Sequence, residues 1–141
     1  MKISILAVGK LKDQALRVSL DEYLNRIRRY CPVDELELRK ERDLLERIPE
    51  RCHTLALEVR GEPLSSSAFA ARLESLLTEP GRVAFLIGGA EGLGAKIVAR
   101  ADGCLSLSAM TLPHRLARLV LCEQLYRAFT IIRGEPYARE S

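Results

Sequence analysis

Three short stretches of this chain carry residue types that can meet a ligand, and each follows a run of apolar residues. The first is Gly88-Gly89-Ala90-Glu91-Gly92-Leu93-Gly94. Glycine has no Cβ, so backbone amides in such a loop can approach a ligand closely. The spacing is not that of a phosphate loop, which needs Gly-Lys-Ser/Thr, nor of G-x-G-x-x-G, because the glycines stand in another order. On its own the stretch is better described as an ordinary tight turn from strand to helix. The second is Leu107-Ser108-Ala109-Met110-Thr111-Leu112-Pro113-His114. It mixes hydroxyls, backbone and apolar side chains, which suits a nucleoside held by main-chain bonds between aliphatic walls. It equally suits a surface loop capped by Thr111 or Pro113 at a helix start, and a lone histidine there is more often structural than catalytic. The third is the tail Gly134 to Ser141. Tails usually fray, yet Tyr137 and Arg139 have the chemistry to stack on a base or grip a phosphate.

A basic cluster, Arg26, Arg28, Arg29, Arg39, Lys40 and Arg42, surrounds the end of the first helix and the second strand. It can track RNA phosphates; a solvated face balanced by Glu35, Glu37 and Glu41 is at least as good a reading. The cysteines, Cys31, Cys52, Cys104 and Cys122, form no C-x-x-C pair. With two histidines, His53 and His114, they give no metal-ligand spacing. Buried free thiols in a reducing compartment fit better.

These residues need a scaffold, and the 141 residues suffice for one domain with a core of its own. A composition that is 48% hydrophobic and 29% charged is that of a globular chain. A net charge of +3 does not by itself indicate nucleic acid. The N-terminal run Lys2 to Val8 lacks the long apolar region of a secretory signal. No stretch approaches the roughly 18 apolar residues of a membrane span. A soluble, cytoplasmic protein without metal is the expectation.

The pattern along the chain alternates. Ile3 to Val8 reads as a buried strand. Asp13 to Tyr30 carries one apolar helical face (Leu16, Leu20, Tyr23, Leu24, Ile27), with Pro32 as the stop. Val33 to Arg39 reads as a half-exposed strand, and Lys40 to Glu50 as a short helix. Thr54 to Val59 is a strand. A helix follows with an N-cap among Ser65 to Ser67, ending before Pro80-Gly81. Val83 to Ile87 is a strand, Leu93 to Ala101 a helix, Cys104 to Leu107 a strand, and Arg115 to Arg133 a long final helix ended by Gly134. Such alternation predicts a parallel-rich α/β sheet. The last helix is apolar most of the way round, so it is either a central core helix or covered by a second subunit.

Phe85 to Leu93 (FLIGGAEGL), Leu105 to His114 (LSLSAMTLPH), Glu123 to Phe129 (EQLYRAF) and Pro136-Tyr137 together resemble the ribosomal RNA large subunit methyltransferase H family of the SPOUT superfamily. Ile5 to Lys10 and Glu22-Tyr23-Leu24 resemble it too, so the similarity spans nearly the whole chain, with a shorter segment from Lys40 to Cys52 than in some relatives. The resemblance implies one SPOUT domain over 1–141, an α/β fold with helices on both faces of the sheet and a C-terminal trefoil knot, although knots are nearly absent from proteins in general. It implies a homodimer, which favours an interface role for the last helix. It implies S-adenosylmethionine held by Leu57, Gly88, Leu107, Ser108, Ala109, Met110, Thr111 and Leu112.

The implied reaction is methylation of N3 of pseudouridine 1915 in large-subunit rRNA of the assembled ribosome. The sulfonium methyl is already activated, so the protein mainly has to align it with the attacking nitrogen. Removing the N3 proton calls for a base or a charge stabiliser. His114 is the candidate to orient the base or assist proton removal, Tyr137 to stack on or hydrogen-bond the uracil, and Arg139 to grip a phosphate or stabilise the N3 anion. Family members often carry histidine between that tyrosine and arginine; Ala138 stands there in this chain and takes no role. The competing expectations are a SPOUT methyltransferase for another RNA site and a ribosome-binding protein without activity.

Overall fold

Ile3, Ile5 and Ala7 bury one face of the first strand, β1 (Lys2–Val8), and Leu6 is buried on the other. A strand with both faces covered belongs inside a parallel sheet. The computed structural model, which describes residues 1–140 apart from the side chain of Glu140, places it there. With β2 (Val33–Leu38), β3 (His53–Pro63), β4 (Arg82–Ile87) and β5 (Gly103–Ser106), the five strands lie in the order β2-β1-β4-β3-β5. Every pairing is parallel. All carboxyl ends therefore share one edge of the sheet.

Three helices cover one face: α1 (Gln14–Ile27), α3 (Ser66–Thr78) and α5 (His114–Arg133). Two short ones, α2 (Arg42–Glu46) and α4 (Ala95–Arg100), bring Leu44 and Ile97 against Leu6 and Leu86 on the other. The ends are set locally. Asp13 accepts a hydrogen bond from Leu16 N and Ser65 one from Ala68 N, each satisfying an orphan amide of a first turn. Gly134 closes α5 in the left-handed region at φ 68°, which costs glycine little.

Some boundaries move. α1 stops at Ile27 rather than running on to Tyr30. Tyr30 N and Cys31 N both bond back to Ile27 O, and this turn seats Cys31 in the core before Pro32 is reached. β3 runs on to Pro63, with a shift in its register against β5 between Leu57 and Glu62. Gly61 permits that return: a Cβ there would stand 2.8 Å from Cys104 C and Leu105 N.

β2 is half-exposed at the sheet edge, as its alternation predicts, but its glutamates are not the solvated side. Glu35 and Glu37 do not face solvent; their side chains keep 11% and 23% of their exposure because they turn under α1 and α5. The single chain already buries Leu121, Cys122, Leu125, Ala128 and Phe129 of α5 against α1, α3 and the sheet, so its apolar girth has a large intramolecular cause.

Candidate functional site

Loops at the carboxyl ends of a parallel sheet are where such folds bind ligands. The loops after β4 and β5, with the irregular stretch of β3, enclose a cleft of about 630 Å³ there. Leu57, Val59, Ile87, Leu105, Leu107, Leu112 and Pro113 supply apolar walls, and Gly88 to Gly92 one rim. Of the eight residues expected around the cofactor, Leu57, Gly88, Leu107, Ser108, Met110, Thr111 and Leu112 line this cleft. Ala109 is exposed between its neighbours and is not part of the wall. Three separate stretches of sequence thus meet in one place.

The glycine loop folds back on itself. Gly92 N donates to Gly89 O at 3.0 Å, and Gly92 takes φ 75°. A Cβ on Gly88 would stand 2.4 Å from Gly92 C and 2.7 Å from Leu93 N, so Gly88 is glycine because the loop's own backbone occupies that space. The tight-turn reading is correct in that respect, and the turn also forms the cleft rim. In the second loop, Met110 N donates to Ser108 Oγ and Ser106 Oγ to Ser108 O. Thr111 does not cap α5; Pro113 is the N-cap and makes no side-chain bond. Thr111 is left to line the cleft. His114 opens α5 beside it, half-buried and facing the same space.

One turn further along α5, Arg118 is 2% exposed. Its guanidinium reaches Glu35 Oε2 at 2.7 Å, Glu37 Oε2 at 2.5 Å and Gly9 O at 3.2 Å. Arg17 of α1 closes the network on Glu35, and Leu11 N donates to Glu37 Oε2 at 2.7 Å. Arg17 also holds the more exposed Asp21 at 2.6 Å, so two cations face three carboxylates and each buried charge has an opposite one beside it. Burial pushes the Glu37 carboxyl upward, but the Leu11 amide and Arg118 outweigh it, so it stays below the usual carboxylate range. The network ties the first turns of α5, and with them His114, to the ends of β1 and β2. Nothing in the sequence marked Arg118, because an arginine on a helix reads as exposed until its partners are known.

The tail is docked, not frayed. Pro136–Glu140 form a 3-10 turn against α5, Ser141 lying outside the described residues. The Tyr137 ring meets Tyr126 edge-on at 4.6 Å, its hydroxyl donates to Glu123 Oε2 at 3.3 Å, and the Arg127 guanidinium covers it at 4.9 Å. Burial, then Tyr23 and the Glu123 charge, push the Tyr137 phenol far above its ordinary value, so it stays a neutral hydrogen-bonding group. Tyr137 and Arg139 do not line their own chain's cleft. Tyr137 packs on residues 123 to 127, nine or more beyond His114, which is roughly 14 Å or more along the helix axis.

The basic cluster divides as well. Arg26 pairs with Glu22, and Arg28 donates to Val33 O at the amino end of β2. Arg39, Lys40 and Arg42 follow its carboxyl end, about 20 Å away for a six-residue strand. Glu41 does not balance them in solvent but accepts from Gly94 N at 2.6 Å. The cysteines are free: Cys31 and Cys122 are buried, Cys52 and Cys104 half-buried. Burial pushes the Cys122 thiol up to about 12. Among the described residues no cluster could hold a metal, and no helix is long and apolar enough to cross a membrane.

Fold and cleft define the class: an α/β protein with a parallel sheet and a cleft of small-molecule size at its carboxyl edge. Among solved structures, a probable methylase family protein from Haemophilus influenzae superposes with a TM-score of 0.62 at 10% identity, over 96% of this chain and 69% of that one. TrmJ from Z. mobilis superposes with 0.58 at 13%, over 92% and 70%. A family model described as a predicted SPOUT methyltransferase matches residues 1–138. The ribosomal RNA large subunit methyltransferase H of Sorangium cellulosum is 52% identical over 98% of this chain and 99% of its own length. That of Bacillus cereus is 41% identical over 97% and 99%. The chain belongs to the SPOUT methyltransferases and, among them, to the ribosomal RNA large subunit methyltransferase H family.

Proposed function

We propose that this chain transfers a methyl group from S-adenosylmethionine to N3 of pseudouridine 1915 in the large-subunit rRNA of the assembled ribosome. The observation that carries this reading is the meeting of Leu57, Gly88 and the Leu107–Leu112 stretch around one 630 Å³ cleft. Its aliphatic walls and short backbone loops suit an adenosyl group, and the volume falls in the range of small-molecule sites. The bound donor supplies an activated methyl on a sulfonium. In the transfer the N3–C bond forms as the S–C bond breaks, the bonding pair returns to sulfur, and the N3 proton leaves.

The residues of this chain would do the rest. Leu57 and Leu107 wall the adenine, and backbone groups of the Leu107–Leu112 stretch (Ala109 through its main chain alone) hold the nucleoside. His114, in the cleft wall, would orient the target base or take its N3 proton. Tyr137 would stack on or hydrogen-bond the uracil, and Arg139 would hold a phosphate or the developing N3 anion. Because both stand away from their own cleft, they would act on the cleft of a second subunit, so the reading includes a homodimer with composite sites. It also includes a single SPOUT domain over 1–141, the trefoil knot, a cytoplasmic location and no metal.

Mass spectrometry of rRNA from a strain lacking the chain tests the substrate. Loss of the N3 methyl at pseudouridine 1915 is expected; loss of a methyl elsewhere would replace the substrate, and no loss, with no binding of S-adenosylmethionine at millimolar concentration, would leave a non-enzymatic ribosome-binding protein. Mixed dimers with a Gly88 defect in one subunit and a truncated tail in the other should regain activity; no recovery would remove the composite site.

A further inference from the structure

The cleft carries a charge of its own. Glu58 and Glu91 line it, no lysine or arginine does, and His114 is the one other ionisable side chain in the wall. Glu58 is half-buried at the irregular part of β3, and Glu91 stands exposed on the glycine rim. Among the described residues, neither carboxylate has a hydrogen-bond or ion-pair partner. Other carboxylates without a partner, Glu46, Glu50, Glu74 and Glu79 among them, lie outside the cleft; what distinguishes Glu58 and Glu91 is that they stand in its wall with no cation beside them. With neutral histidine the wall this chain supplies has a formal charge of −2, and an Arg139 contributed by a second subunit would leave the site at −1.

We propose that Glu58 and Glu91 set this cleft's preference for the charged methyl donor over its demethylated product. The inference rests on the donor reading above. S-adenosylmethionine and S-adenosylhomocysteine differ by one methyl and one positive charge on sulfur, so a negative cleft separates them by charge where their shapes nearly coincide. A 630 Å³ cleft is roughly 9 Å across, and unit charges at that range in a half-solvated site give on the order of fivefold in affinity for a carboxylate like Glu58. Glu91, more exposed, adds less, and together they give about tenfold. Transfer discharges the sulfonium, so the same field that draws the donor in releases the product. It also stabilises the charged ground state, so removing a carboxylate weakens donor binding without slowing the chemical step.

Calorimetry on the full chain with S-adenosylmethionine, S-adenosylhomocysteine and sinefungin, whose amine replaces the sulfonium charge, tests this. The wild type should bind both cationic ligands about tenfold more tightly than the neutral product, with the margin shrinking as salt rises. In the Glu58→Gln, Glu91→Gln double variant the three affinities should converge, product binding moving less than twofold. Glu58→Asp, which keeps the charge, should keep the preference. A wild type that binds product as tightly as donor, or a double variant that retains the preference, overturns the inference while leaving the donor reading intact. Failure of all three ligands to bind the folded wild type removes both.

Discussion

Arg118→Met is the perturbation the structure speaks to most directly. Methionine keeps much of the aliphatic stem but removes the guanidinium from a site 2% exposed, leaving Glu35, Glu37 and Gly9 O without it. Breaking a fully buried pair from one side costs about 3–5 kcal/mol. Two features reduce that figure: Glu37 keeps 23% of its exposure, and Arg17 remains on Glu35. A loss of about 2–3 kcal/mol is the reasoned value. With an unfolding entropy of about 2.1 cal/mol/K per residue over 141 residues, 1 kcal/mol corresponds to roughly 3 °C. Thermal unfolding followed by circular dichroism should therefore show a drop of roughly 7–10 °C. Arg17→Ala, at 25% exposure, should cost no more than about 3 °C. Adding Glu37→Gln to Arg118→Met should restore part of the loss, because the stranded charge is what costs most. A drop under 2 °C, or a double variant simply additive in its two singles, would refute the account of Arg118 as the anchor of α5.

Other consequences are equally direct. Gly88→Ala forces a Cβ into the backbone of Gly92 and Leu93 and should weaken donor binding by an order of magnitude or more in calorimetry, on a chain destabilised by about 2 kcal/mol. His114→Ala should leave donor affinity within about twofold and cut single-turnover methylation of ribosomes by about 10²-fold or more, the usual range for one proton-handling group. Glu37 titrates below its unfolded value of 4.5, so its contribution is complete above that pH and is lost as the pH falls through its depressed native value. Acid unfolding should accordingly begin below about pH 4.5 and be blunted in Glu37→Gln. Tyr137→Phe loses a 3.3 Å bond at the surface of α5 and should cost under about 1 kcal/mol, so a large fall in methylation would report a role beyond packing.

Most of the fold was legible in local pattern. Alternating apolar runs and helical faces placed the strands and helices to within a few residues, except the far end of β3, the early stops of α1 at Ile27 and of α2 at Glu46, and the 3-10 turn Pro136–Glu140, where local pattern suggested only a loose tail. The parallel sheet followed from that alternation, since parallel neighbours need long crossovers. The two loops that line the cleft are visible as stretches at strand ends but carry no chemistry individually. Their joining came first through family resemblance and then through the geometry of the cleft.

What the sequence determined by itself is what local physics fixes: where strands and helices begin, that Gly134 ends the last helix, and that the chain can bury a core. The tertiary structure decided which charges are buried and which residues share a space. Glu35 and Glu37 read as the solvent side of a strand, and Arg118 as one more surface arginine, until α5 crosses the β1–β2 end and brings them within hydrogen-bonding distance. Gly88 and the Leu107–Leu112 stretch are some twenty residues apart and belong to one cleft only because both loops leave the same edge of a parallel sheet. Tyr137 looked like a loose end and is packed against Tyr126 and Arg127. Burial and charge pairing are properties of contacts between distant segments, and no local pattern encodes which segments will meet.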